Sequence, residues 1–95
     1  MSKTDGRQYN YMGYSYQASA QSAESPRGTI WSASVTIGEL YAGKLGLKRF
    51  PVDGTFRNSS DAIRASESWG KRIIDREIPG IEQLWPNGRP KIDLY

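Results

Sequence analysis

Trp31-Ser32-Ala33-Ser34-Val35-Thr36-Ile37-Gly38 alternates apolar and small polar residues without a break. Side chains of an extended chain point to opposite faces in turn, so this stretch reads as a strand with one face buried and one face wet. Past a turn marked by Gly43 and Gly46, Phe50 and Val52 keep the same alternation. Then the period changes. Ala62, Ile63, Ser66, Trp69, Gly70, Ile73 and Ile74 fall on one stripe of a helix with a 3.6-residue repeat. A small sheet covered on one face by a single helix follows from that change of period.

Working outward, Tyr14, Tyr16, Ala18 and Ala20 alternate with Ser15, Gln17, Ser19 and Gln21, which makes a first strand. Ser22 to Gly28 reads as a loop, because Pro26 and Gly28 interrupt both periodicities. The second strand spans about Ile30 to Leu40 and the third about Leu47 to Val52. Pro51 has no N–H to give a ladder, so the third strand lies at an edge or stops there. Asn58 or Ser59 is the expected helix cap, and with Asn58 as cap Asp61 falls where it completes a capping-box-like pair. Gly70, on the apolar stripe, is expected to clear room for the sheet beneath it, under Trp31. Pro79-Gly80 closes the helix.

The expected fold is therefore α+β: a three-stranded antiparallel β-meander with one α-helix packed on one face. Residues 1–13 are expected to form a flexible, Tyr-rich leader, 14–78 the domain, and 79–95 an irregular, partly ordered extension. The expected core is Tyr16, Trp31, Ala33, Val35, Ile37, Phe50, Val52, Ile63, Trp69, Ile73 and Ile74.

Composition narrows the chemistry. Ninety-five residues make one domain. There is no cysteine, so disulfides and thiolate metal sites are impossible, and no histidine, which removes the commonest general base and metal ligand. No catalytic residues, cofactor or metal site are expected, and the chain reads as non-enzymatic. Gly38 to Lys44 has the G-x-x-x-x-G-K spacing of a phosphate-binding loop. However, Leu45 stands where the magnesium-binding Ser or Thr belongs, and a hairpin follows where a helix is needed. No apolar run reaches the ~20 residues of a membrane span, and no secretory signal is visible, so a cytoplasmic protein is expected.

Two sets of residues are candidates for binding. In the tail, Leu84, Trp85, Ile92, Leu94 and Tyr95 are large side chains outside the expected core. They either fold back on the free, Ser-, Thr- and Gln-rich side of the sheet or meet a protein partner or a second copy. The basic set is Lys44, Lys48 and Arg49 near the hairpin, with Lys71, Arg72 and Arg76 on the helix. It supports a nucleic-acid-binding alternative, though the net charge is only +3 and acidic residues are interspersed. The leading expectation is a binding or accessory module working through protein contacts.

Tyr11-Met12-Gly13-Tyr14, Phe56-Arg57-Asn58-Ser59-Ser60-Asp61-Ala62 and Ile73-Ile74-Asp75 resemble the pattern of a group of small uncharacterised bacterial β-β-β-α proteins. That layout is similar to the HlyU-type transcriptional activators. The resemblance covers about residues 11 to 76 and implies a fold and a regulatory setting, with no catalytic or ligand residues to carry over.

Overall fold

The structure, a computed structural model, describes residues 4–91. Four strands, β1 (Thr4–Tyr11), β2 (Tyr14–Ser25), β3 (Gly28–Tyr41) and β4 (Lys44–Phe56), form one antiparallel sheet in chain order. Helix α1 (Ser59–Ile74) crosses one face, and a short 3₁₀ turn, η1 (Ile81–Leu84), follows it. The sheet thus has four strands and not three. Residues 4–11 of the expected leader are the extra one, paired along their whole length with β2 from Thr4–Gln21 to Tyr11–Tyr14.

Turn chemistry explains why the strands run longer than expected. Met12-Gly13 and Ala42-Gly43 are two-residue turns with positive φ at both positions (53° and 85°, 52° and 75°). This is the mirror-image turn whose twist matches that of flanking strands. At the opposite end Pro26-Arg27 turns the chain. Ser25 Oγ accepts from the Arg27 N–H at 3.2 Å, and Gly28 follows at φ 112°. The expected loop at 22–28 is therefore two turn residues between paired strands, with Ser22 opposite Trp31 and Ser25 opposite Gly28. Pro51 does lie on an edge strand, but β4 runs through it to Phe56.

Helix α1 begins at the expected cap. The Asn58 side chain accepts from the Asp61 N–H at 2.8 Å. It ends five residues before Pro79: the N–H groups of Arg76 and Glu77 donate to the carbonyls of Ile73 and Arg72, a Schellman closure with Arg76 at φ 63°. Its buried stripe is Ala62, Ile63, Ser66, Gly70, Ile73 and Ile74. A Cβ on Gly70 would lie 2.9 Å from the Tyr16 ring and 3.0 Å from Val35, so the close approach is over those two residues and not under Trp31. Trp31 and Trp69 are half-buried at the margin of the core, whereas the other nine expected core residues are buried. Tyr14, Ala18, Ala20, Ala62, Ile81 and Leu84 complete it.

A 16-residue helix is ~24 Å long, while the 14 residues of β3 extend to ~46 Å. The molecule is correspondingly elongated, 60 × 26 × 21 Å. Beyond the C-terminal end of α1 the uncovered strip of sheet is filled by η1 and the residues after it.

Candidate functional site

The tail's position decides which surfaces are free. Leu84 is in the core, and the Trp85 indole lies on Gly46 of β4, where a Cβ would come within 2.6 Å of it. Trp85 Nε1–H donates to Glu39 Oε1 at 2.7 Å. Arg89 grips both oxygens of the same carboxylate, from Nε to Oε1 at 3.0 Å and from a terminal nitrogen to Oε2 at 2.8 Å. That terminal nitrogen also donates to Tyr14 Oη at 3.2 Å, and the guanidinium lies 5.0 Å from the Tyr41 ring centroid. Coulombic attraction to Glu39, the largest effect, raises the Arg89 pKa above its ordinary value. A bidentate Arg–carboxylate pair with an indole donor is a specific anchor.

These contacts correct one expectation. Glu39 and Gly46 belong to the sheet face that carries α1, so the tail folds back on the helix side and leaves the Ser-, Thr- and Gln-rich side uncovered by the described residues. Leu84 and Trp85 are used internally and offer little free surface. Ile92, Leu94 and Tyr95 lie outside the described residues.

The basic residues do not converge. Lys71 pairs with Glu67 and Arg72 with Glu77, each at 3.5 Å, on α1. Lys44 and Lys48 are exposed on the helix side of β4, whereas Arg49 points to the opposite side and donates to Ser34 Oγ at 3.2 Å. Arg76 borders a cavity of about 300 Å³ with Tyr14, Ile81, Trp85 and Arg89. The Gly38–Lys44 segment spans β3, its turn and the start of β4, so no helix N-terminus follows it.

A groove of about 400 Å³ runs between β1 and the first half of α1, bordered by Asp5, Arg7, Arg64 and Glu67. Its charges are of both signs. Among the described residues no buried side-chain polar atom lacks a partner, and no group of acidic side chains is placed to hold a metal ion. No described helix is long and apolar enough to cross a membrane.

The helix-free face is different in kind. Register sets its rows: Asn10–Ser15–Gly38–Leu47, then Gln8–Gln17–Thr36–Arg49, then Gly6–Ser19–Ser34–Pro51. Above the first row stands the cross-strand pair Leu40–Leu45. Among these positions Arg49 carries the single charge. Leu40, Leu45 and Leu47 are 73%, 62% and 59% exposed. Leu47 leans across Gly38, where a Cβ would meet its Cδ1 at 3.0 Å. Beside the leucines a depression of about 360 Å³ opens over Gly38 and Ser15, walled by Asn10 and Gly13.

The three leucines were not singled out from sequence, yet a signal existed. In the β3 alternation the large apolar residues that are buried, Val35 and Ile37, are odd-numbered, so Leu40 breaks phase by placing an apolar side chain among the small and polar ones. Comparison with protein-family models, with curated proteins and with solved structures finds no match to this chain.

Proposed function

We propose that this chain is a small non-enzymatic binding module that acts through protein contacts, with the helix-free sheet face as its contact surface. The observation that carries this reading is the exposed Leu40–Leu45–Leu47 cluster beside rows in which Arg49 is the single charge. Exposed apolar residues scattered singly need no explanation, but a contiguous group on a flat face does. Interface centres are depleted in charge because ions are costly to strip of water, and Ser, Thr, Gln and Asn keep this face free of that cost. The lack of histidine and cysteine supports the same reading.

Nucleic-acid binding would need Lys44, Lys48, Arg49, Lys71, Arg72 and Arg76 to follow one phosphate chain. Their distribution over both sides of the sheet, with two already in ion pairs, favours protein contact instead. A photo-crosslinking amino acid at Leu47, compared with one at exposed Ser68 on the outer side of α1, tests the choice in cells. Protein adducts at position 47 and none at 68 are expected. Adducts to nucleic acid, or equal labelling at both positions, would overturn the reading.

A further inference from the structure

We propose that the occupant of the helix-free face is a second copy of this chain, packed face to face about a two-fold axis. The inference rests on the protein-contact reading and names its partner. Its basis is that the face is complementary to itself.

Consider an axis parallel to the strands and centred between β2 and β3. Rotation about it sets β1 of one copy over β4 of the other and keeps every row at its own level. Each row then meets itself reversed. Leu47, the bulkiest member of its row, comes over Asn10, whose side borders the depression above Gly38. In the next row Arg49 comes over Gln8, whose amide oxygen is an acceptor for it. In the third, Pro51 comes over Gly6, beside which the Gln17 amide lies 3.3 Å from the place of a Cβ, so the ring meets a side-chain amide as well as backbone. The two-fold repeats each of these pairings on the other flank of the axis. The two Arg49 side chains stand on opposite flanks of the axis, so the charge of these rows does not meet its own copy. Sheet twist tilts the two strand sets by ~30°, the usual angle for stacked sheets.

The size of the face fits a dimer. Strands of 8, 12, 14 and 13 residues, spaced ~4.8 Å apart and rising ~3.3 Å per residue, cover roughly 750 Å². A standard stable interface takes ~800 Å² from each partner. A self-complementary patch of that size gives a closed pair, since both copies use the same surface.

Sedimentation equilibrium of the purified chain tests the proposal. The expected mass is twice the 10.7 kDa of one chain. Leu47→Glu buries a carboxylate in the contact and should give a single-chain mass, with an unchanged far-ultraviolet circular dichroism spectrum because Leu47 is exposed in one copy. Register is tested separately. Gln8→Lys sets a cation against Arg49 of the other copy and should weaken dimerisation by about tenfold or more, and adding Arg49→Glu should restore it. A single-chain mass for the unaltered protein at the highest concentration reached overturns the proposal. So does a dimer indifferent to Leu47→Glu, as edge-to-edge strand pairing would give, or a Gln8→Lys defect that Arg49→Glu does not repair. A single-chain mass combined with adducts to another protein at position 47 would overturn the second-copy inference and leave the protein-contact reading standing.

Discussion

Arg76 occupies the position after the α1 cap where a left-handed residue closes the helix, and its φ of 63° carries a Cβ into a region that favours glycine. Its N–H and that of Glu77 satisfy two helix carbonyls, so the conformation is required whatever the side chain. Arg76→Gly is therefore expected to raise stability by ~0.5–1 kcal/mol, read as a higher urea midpoint at unchanged slope. A fall in the midpoint would mean that the side chain beside the Trp85 and Arg89 cavity contributes more than the strain it imposes. Gly70 shows the opposite balance: any Cβ there meets the Tyr16 ring, so the helix keeps a residue that is intrinsically poor in helices. The apolar stripe revealed that Gly70 faces the sheet, but not what it faces. That partner depends on register between elements, which no local pattern encodes.

At the scale of elements, the tail and the sheet are joined at Gly46. Its would-be Cβ lies 2.6 Å from the Trp85 ring and 2.8 Å from the Leu84 carbonyl oxygen, and a backbone atom cannot step aside as a flexible side chain can. Gly46→Ala should accordingly unseat residues 81–89. Hydrogen exchange is the measurement: amides of Gln83, Trp85 and Gly88 should lose protection while those of β2 and β3 keep theirs. Equal protection across both would show that the tail does not depend on that contact. Elements with a burial pattern were legible in the sequence. Strand β3 and helix α1 each bury one face, and their periods of 2 and 3.6 stand out. Strand β1 was missed because Asp5 and Arg7 occupy its helix-side positions and Gly6, Gln8 and Asn10 the other, leaving Tyr9 and Tyr11 as its only apolar members. The extra length of β2 and β3 was missed for a related reason: the ends of that hairpin reach past α1, so their side chains are wet on both faces. The open face was legible as polar. The leucines on it were not, because their shared face follows from the turn at Ala42-Gly43, which sets the β3–β4 register.

The molecule as a whole should weaken in alkali. Burial, the largest cause, pushes the Tyr16 pKa up to about 12 from 10.0, and the hydrogen bond to the Asp75 carboxylate raises that of Tyr11. An unfolded chain releases these protons near the ordinary value while the folded chain still holds them. Stability is then level below the unfolded pKa and falls as pH rises from 10.0 toward about 12, by about 1.4 kcal/mol per pH unit for one such tyrosine. Urea unfolding across that window checks the slope, and Tyr16→Phe should remove the larger part of it. A slope unaffected by Tyr16→Phe would place the effect elsewhere. The meander and its tail also set an order of assembly. Each strand pairs with its neighbour in the chain, whereas Trp85 and Arg89 reach back 46 and 50 residues to Glu39. Contacts close in the chain cost less closure entropy than distant ones, so the sheet forms ahead of the contacts to that carboxylate. A chain cut between Ile74 and Trp85 therefore carries a bare Glu39 beside an uncovered strip of β4. The segment works as a latch on the sheet, and its release would uncover an unpaired carboxylate and apolar surface together.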